Sequence, residues 1–361
     1  MMLRPLFARG TLFGAFAALI GPAQLMLAGA VEPAQIAPAE SPDSRFQFVF
    51  IEENANLGFY GSDRHFTNVA QASLLSPQLT PGGFANSPIR WLGKNTPLFL
   101  SPNENSDDRF EWLILGQAIF TPEDHHLSNP STSDRPYAGW LYTGIDLLQN
   151  QNDQVLTSLQ MQAGVVGSYA LARQTQNAFH SLIGDGLVRG WRHQLSNQFG
   201  FVVTWNRNWR FPHELGDGFS WEVVPTAGLA LGNVYTYAQA GGLLRWGRGL
   251  EATWGPDLFP GPGFPGTAYF DPRHANTRWG FDLYGGAVGR LMAVNVFLDG
   301  NTLQNSRSVA KEIPVGDLLI GAEVFWADRF RVGFTSTLRS PEFNRQRGPD
   351  TFGGVHASFF F

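Results

Sequence analysis

The segment Phe330-Arg331-Val332-Gly333-Phe334-Thr335-Ser336-Thr337-Leu338-Arg339 alternates between apolar and polar side chains with a period of two. Successive side chains of an extended strand point to opposite faces, so Phe330, Phe334 and Leu338 share one face. Arg331 and Arg339 share the other. A strongly apolar face opposite a charged face is typical of a barrel wall between lipid and a wet lumen. The segment therefore predicts one strand of a transmembrane β-barrel.

The preceding segment repeats this pattern, because Leu318, Ile320 and Val324 alternate with Asp317 and Glu323. A short turn at 327–329 would join the two segments as a hairpin. Similar alternation recurs along the chain and predicts twelve strands, an even number, as bacterial barrels require. The predicted strands are 46–54, 66–78, 108–119, 137–149, 154–166, 198–210, 219–231, 239–247, 278–294, 312–325, 328–340 and 351–361.

The composition agrees with a barrel. The chain has 30 Phe and 11 Trp but only 15% charged residues, and it ends with Phe359-Phe360-Phe361. A water-soluble β-sandwich is the alternative, but it would hide its apolar faces and would not need so many aromatic residues near strand ends. We therefore predict an all-β fold, a monomeric transmembrane antiparallel β-barrel of about twelve strands with a short extracellular helix.

The first thirty residues have the features of an export signal. Arg4 and Arg9 precede the apolar stretch 10–20, and residues 28–30 are small, as a cleavage site after Ala30 requires. The apolar stretch is too short to span a membrane. The predicted division of the chain is a cleaved signal peptide over 1–30, a loose N-terminal lead-in over 31–44 and an outer-membrane β-barrel over 45–361.

Two classes of function are excluded by composition. The chain has no cysteine, so disulfides, thiol catalysis and cysteine-based zinc sites are ruled out. Its net charge is −5 and it has no basic run, which argues against nucleic acid as a partner, because phosphate binding needs clustered Lys and Arg.

Strand parity predicts which connections face the outside of a Gram-negative cell. With both termini in the periplasm, the connections near 55–65, 120–136 and 167–197 face outward. The segments 79–107 and 248–277 then become long periplasmic connections, whereas such turns are usually short. Either the strand count is wrong or these two segments have a structure of their own.

The segment 169–184 departs from the strand pattern. Leu171, Phe179, Leu182 and Ile183 fall broadly on one helical face, which predicts a helix outside the membrane. Gly184 and Gly186 would end it, since glycine accepts the left-handed conformation at a helix C-terminus. His180 lies in its last turn, where a histidine is most often structural or solvated but can also act as a base.

Asn54 and Thr67 lie near one another across the first predicted hairpin. Their oxygen atoms could hold a hard cation such as calcium. The alternative is that they cap strand ends and form hydrogen bonds in loops.

These and other segments resemble the lipid A 3′-O-deacylase family of outer-membrane barrels, in order and over nearly the whole mature chain. The matching segments are Glu53-Asn54, Asp63-Arg64-His65-Phe66-Thr67-Asn68, Thr121-Pro122, 134–140, Gln174-Thr175-Gln176 through His180 to Gly184, Gly190-Trp191, Gln194-Leu195, Asn197, 231–236 and 297–302.

The resemblance implies a twelve-stranded barrel in the outer membrane whose site lies between the wall and an extracellular helix. It also implies calcium-dependent removal of the 3′-linked acyl or acyloxyacyl chain of lipid A. By that resemblance His180 is the general base that activates water, and Asn54 and Thr67 position the metal and the ester carbonyl. The predicted substrate contacts are Arg135, Tyr137 and Asp185, with Arg135 or Arg192 facing the lipid A phosphates.

The chain departs from the family pattern at three places. Ala55 stands where the family usually has Asp, Gln198 stands where Glu is common, and Asp185 is the carboxylate nearest to an acidic position that falls at Gly186. Losing a carboxylate weakens a cation site. The alternatives are therefore a catalytically impaired lipid-binding or structural barrel of the same family, and a passive pore.

Overall fold

The computed structural model describes residues 45–58, 64–101, 103, 105–184, 186–256, 269–275, 277–326 and 329–361. The strands are β1 (Gln47–Asn54), β2 (His65–Leu75), β3 (Ser106–Thr121), β4 (Ala138–Gln151), β5 (Val155–Val166), β6 (Gln198–Trp209), β7 (Phe211–Gly216), β8 (Phe219–Gly232), β9 (Tyr235–Arg248), β10 (Trp279–Asn295), β11 (Pro314–Trp326), β12 (Phe330–Arg339) and β13 (Asp350–Phe360). The α-helices are α1 (Ser87–Asn95), α2 (Ala172–Ile183) and α3 (Val296–Asp299). No helix in the described ranges is long and apolar enough to cross a membrane. The predicted signal peptide and lead-in lie outside the described residues.

The strands form one closed antiparallel barrel. β1 pairs with both β2 and β13, and β6 pairs with both β5 and β8. Only Arg210 separates β6 from β7, and both of these strands pair with β8, so together they occupy one position in the wall. The predicted twelve-stranded barrel is confirmed. The sequence missed β7 because it contains Pro212, a residue that usually argues against a strand.

The two ends of the barrel carry different helices. The α2 end is where β1 finishes and β2 begins, and it carries α2 and α3. The terminal end is where β1 begins and β13 finishes, and it carries α1.

The wall has the two faces that the sequence predicts. Phe330, Phe334 and Leu338 are exposed on the outside of β12, whereas Arg331 and Arg339 are buried inside. The interior arginines are paired with interior carboxylates. The pairs are Arg245 with Asp282 at 2.7 Å, Arg290 with Asp317 at 2.8 Å, Arg331 with Glu323 at 2.7 Å and Arg339 with Asp317 at 2.6 Å.

Aromatic side chains fill the interior towards the α2 end. Phe297 of α3 stacks on Phe120 with ring centroids 4.2 Å apart, and Trp140 stacks on Tyr142 at 4.2 Å. A cavity of about 40 Å³ lies among the interior charges, beside Glu53. That volume holds only a few water molecules.

The described parts of the predicted long connection 248–277 fold into the barrel. We call its described parts, residues 250–256 and 269–275, the inner plug. Arg245 donates to the Thr253 hydroxyl at 2.6 Å, and Arg331 donates to the Gly255 carbonyl at 2.6 Å. Trp254 packs with interior apolar residues of several strands. The terminal end of the barrel is therefore filled from within.

Residues 79–101 of the other long connection, 79–107, lie on the outside of the wall. Ile89 of α1 packs with Leu147 and Phe99. The indole of Trp205 donates to the Leu98 carbonyl at 2.7 Å. Leu147 and Trp205 alternate with the interior residues Leu148 and Thr204, so both point outward. Both unusual connections therefore have their own structure, and the strand count holds.

Candidate active site

Helix α2 packs against the outside of the barrel wall at the α2 end. A Cβ atom added to Gly139 of β4 would lie 2.5 Å from the Cβ of Ala172, so the helix approaches the wall as closely as a glycine allows. Ile119 of β3 joins Ala172 in an apolar cluster with Tyr137, Val188 and Trp191. Ala118 and Phe120 point inward, so Ile119 points outward and this cluster lies outside the barrel.

The face of α2 that meets the wall is small and polar. Ala172, Gln176 and His180 are buried at intervals of four residues, which places them on one side of the helix. The predicted ending at Gly184 is confirmed, since this residue is left-handed with φ 75° and its N–H donates to the His180 carbonyl. The apolar residues on which the helix was predicted do not face the barrel, and Phe179 is exposed instead. The close approach at Gly139 leaves no room for a side chain larger than alanine at position 172.

His180 is held in one orientation between α2 and the wall. It is 3% exposed, and its Nδ1 lies 3.0 Å from the Gly186 carbonyl oxygen. A carbonyl oxygen only accepts, so Nδ1 is the donor of this hydrogen bond, and in the neutral form of such a ring Nε2 carries the lone pair. The His125 ring meets His180 edge-on at 5.9 Å between centroids. The Tyr137 hydroxyl donates to the His125 carbonyl at 2.9 Å, so Tyr137 belongs to the same group of side chains.

Gln176 supports this arrangement from within the helix. Its Oε1 accepts from the Trp191 indole at 2.9 Å. Neither Gln176 nor His125 was predicted as a site residue, although Gln176 lies one helical turn before His180 and shares its face.

A row of cross-strand neighbours connects α2 to the predicted metal residues. Asn54 lies opposite Asn68, Asn68 opposite Ile119, and Ile119 opposite Gly139. Glu53 lines the interior cavity, so Asn54 points outward, as Ile119 does. Asn54 therefore lies on the outer face, in the same row as the wall residues beneath α2.

Polar side chains occupy this part of the outer face, where a barrel usually presents apolar ones. The Asn68 amide donates to the Glu52 carboxylate, and the Thr67 and Thr121 hydroxyls lie 2.9 Å apart. We call Glu52, Asn54, Thr67, Asn68 and Thr121 the outer polar strip. The sequence analysis missed Glu52, but the tandem carboxylates Glu52 and Glu53 were a signal, because a period of two must send one of them outward.

Asn54 and Thr67 each already hold one hydrogen bond. Asn54 Oδ1 accepts from the Asn56 N–H at 2.8 Å and caps the short helix Ala55–Leu57. The side chain of Ala55 is a buried methyl group. The capping role that the sequence allowed for Asn54 is therefore present.

The structure does not bring Arg135 to the outer face. Its guanidinium lies 3.2 Å from Glu342 and 4.8 Å above the ring of Phe120, inside the barrel. Arg135 was predicted to contact the lipid A phosphates, but it does not lie in a strand, so alternation does not fix its direction. Asp185 and Asp63 lie outside the described residues.

The motif that begins at Arg64 has a structural role at this end. His65 Nδ1 lies 2.7 Å from Asp350, and His65 Nε2 lies 3.5 Å from Asp134. Burial raises the pKa of the Asp134 carboxyl, but hydrogen bonds from His65 and from the backbone of Glu123 and Arg135 lower it by more, so its pKa lies below the ordinary value. These contacts tie together three loops around the site.

Comparison with known proteins agrees with this geometry. The family model described as "Outer membrane protein LpxR" matches residues 23–361. The chain belongs to the LpxR family. The resemblance to outer-membrane lipid A deacylases is thereby confirmed, and so is the assignment to the outer membrane.

The chain is also similar to solved structures, among them LpxR from Salmonella typhimurium, which has the same fold. It is 18% identical, covers 87% of this chain and 100% of that chain, and has a TM-score of 0.69. The β domain of the Bordetella autotransporter BrkA is 9% identical, with coverage of 88% and 98% and a TM-score of 0.40. An outer-membrane channel from Pseudomonas putida F1 is 10% identical, with coverage of 92% and 100% and a TM-score of 0.38. No curated protein matches this LpxR family member in sequence.

Proposed function

We propose that this LpxR family member is an esterase that removes the 3′-linked acyl or acyloxyacyl chain of lipid A at the outside of the cell. The observation that carries the proposal is His180, buried between α2 and the outer wall with its Nδ1 bound to the Gly186 carbonyl. An imidazole fixed in this tautomer can accept a proton at Nε2. Its position outside the barrel suits a substrate that arrives from the membrane.

In the proposed reaction the Nε2 atom of His180 removes a proton from water, which attacks the ester carbonyl. General base catalysis of this kind contributes about 10²- to 10⁴-fold in rate. The Gly186 carbonyl then stabilises the charged ring, because it already accepts the Nδ1 hydrogen. Proton return from Nε2 to the leaving alkoxide completes the hydrolysis.

Calcium is the proposed cofactor, and the chemistry of the outer polar strip suits it. Glu52, Asn54 and Thr67 offer only oxygen ligands, and each amide or hydroxyl oxygen that holds one hydrogen bond keeps a second lone pair. A cation held there would stabilise the negative charge that develops on the ester oxygen. No group of three or more His, Asp or Glu residues in the described part of the chain has a metal-binding arrangement, so neutral oxygens and water would complete the site.

The proposed substrate contacts of Arg135 and Tyr137 would require movement of the loops around the site. Both side chains are buried, and Tyr137 holds the His125 carbonyl. Tyr137 therefore supports His180 in the resting structure, and contact with the substrate would follow only after the loops open.

The test is mass spectrometry of lipid A incubated with the purified protein. The native protein should release the 3′-linked chain in calcium, and a chelator should reduce release. His180→Ala should lower the rate by about 10²- to 10⁴-fold. His213→Ala is the matched control, since His213 is exposed on β7 at the terminal end. Intact lipid A after incubation with folded native protein in calcium would refute the proposal.

A second candidate function is favoured by Ala55. Its methyl group gives no ligand where the family usually has a carboxylate, so a barrel that binds lipid A without cleaving it is the alternative. Ala55→Asp separates the two. If the native protein is inactive and Ala55→Asp cleaves lipid A, the chain is an impaired member of its family.

A further inference from the structure

Helix α2 carries an apolar surface that the candidate site does not use. Leu182 is 85% exposed, and Phe179 and Ile183 are exposed beside it. Tyr169, 70% exposed, precedes the helix, and Leu187, 59% exposed, follows it. We call these five residues the apolar flank of α2.

The other flank of the helix is polar. At 100° per residue, Arg173, Asn177 and Ser181 lie on one side of the buried face, and Phe179 and Leu182 lie on the other. Ile183 is the last residue of the helix and is 48% exposed, although its angle falls within the buried sector. The buried face itself is taken by Ala172, Gln176 and His180. The helix therefore has three surfaces: one packs on the barrel wall, one is polar and faces water, and one is apolar.

The start of the apolar flank lies beside the lipid-facing wall, because the Tyr169 N–H donates to the Asn197 side chain at 2.9 Å and Asn197 directly precedes β6. Phe199 is the second residue of β6 and is 64% exposed, and Leu231 is the penultimate residue of β8 and is also 64% exposed. The outer faces of these strands are thus apolar up to the α2 end. Because α2 lies outside the wall, its flank continues a surface that hydrocarbon already covers.

We propose that the apolar flank of α2 is inserted in the acyl chains of the adjoining leaflet. Interfacial helices bury one apolar face about 5–10 Å below the head groups while their polar face stays in water. A soluble surface rarely exposes so many large apolar side chains together. The partner is the bulk lipid of the bilayer rather than one bound lipid A molecule, so the inference does not depend on catalysis.

The chain has no cysteine, so single cysteines can carry a nitroxide spin label without background. Leu182→Cys tests the apolar flank, and Ser181→Cys is the matched control, one residue away and exposed on the polar side. Phe199→Cys gives the lipid-facing reference. Each variant is reconstituted in phosphatidylcholine vesicles, and its heat-modifiable migration on a gel confirms folding.

Collision with oxygen, which concentrates in the acyl layer, is compared with collision with a water-soluble nickel chelate. The label at 182 should behave like the label at 199, with at least a severalfold higher oxygen-to-nickel ratio than the label at 181. Equal ratios at 181 and 182 would overturn the proposal.

Two further outcomes would also overturn it. Protection at 182 only after lipid A is added would assign the flank to the substrate. Protection that is lost on dilution with lipid, together with spin–spin broadening at high protein density, would assign it to a second copy of the chain. Ile183→Cys repeats the measurement if Leu182→Cys does not fold.

Discussion

The two ends of the barrel are built in opposite ways. At the terminal end the inner plug folds into the lumen, where Arg245 and Arg331 hold its backbone. At the α2 end the distinctive structure lies on the outside of the wall, where α2 covers Ile119 and Gly139. The described interior is filled with ion pairs and aromatic rings, and the proposed chemistry on a membrane lipid is placed on the outer face near α2.

The largest expected effect concerns passage through the barrel. Twelve strands can enclose a lumen, but ion pairs and aromatic rings pack the described interior. We expect the native protein in a planar bilayer to give no steady ionic current. A stable ohmic conductance would favour the passive pore and would show that the interior of the barrel is open from one end to the other.

The next effect is on stability at the terminal end. Arg109 lies 2.7 Å from Asp107 and also pairs with Asp271 of the inner plug, and its side chain is 5% exposed. Arg109→Met would leave buried carboxylates without this partner, so we expect a loss of about 3–5 kcal/mol in the free energy of unfolding. Urea unfolding followed by tryptophan fluorescence measures it.

Arg273→Met is the control for this prediction, because Arg273 pairs with the same Asp271 but is 30% exposed. Arg273→Met should therefore lower the free energy of unfolding by less than Arg109→Met does. Lipid A cleavage per folded molecule should not change in either variant. A loss of cleavage in folded Arg109→Met would mean that the two ends are coupled.

A smaller effect is expected at the contact between α2 and the wall. Gly139→Val would force a side chain into Ala172, and overpacking of this kind costs about 1–3 kcal/mol. We expect faster amide hydrogen exchange in α2 and slower lipid A cleavage. Gly289→Val is the matched control, since a Cβ there meets nothing within 4 Å. Equal exchange in both variants would show that α2 does not rest on Gly139.

The smallest effect depends on pH. The pKa of Asp134 is lowered in the folded protein, so its contribution to stability is present above its ordinary pKa of about 4 and is lost as the pH falls through the lowered value. The protection factors of the amides in the loop 122–137, measured against the intrinsic exchange rate at each pH, should therefore fall at acid pH. In Asp134→Asn the protection factors should be lower at neutral pH and should change less on acidification. A native loop insensitive to acid would contradict this reading.

The sequence predicts the wall well because alternation is a local property. The direction of each side chain in β12 follows from its position, and the packed hairpin with β11 agrees residue by residue. From the sequence, the inner plug was predicted only as a periplasmic connection longer than such turns usually are. Its contacts join residues as distant as Arg109 and Asp271, which no local pattern can reveal.

The candidate site was partly predictable. His180 was found by its position in a helix that interrupts the strands, and the structure places it on the wall side of that helix. The orientation of α2 was not predictable from its apolar residues, because the close approach at Gly139 selects Ala172 for contact instead. Arg135 points inward because Glu342, far away in sequence, is its partner.

The outer polar strip also bears on how water, the second reactant of an ester hydrolysis, reaches the substrate. Carboxylate, amide and hydroxyl groups are costly in dry hydrocarbon, and bilayers relieve that cost by thinning and by admitting water. Glu52 and Asn68 on the outer face should therefore wet the annulus of lipid beside them. Solvent could then reach a scissile bond near α2 along the outside of the protein, without crossing its closed interior.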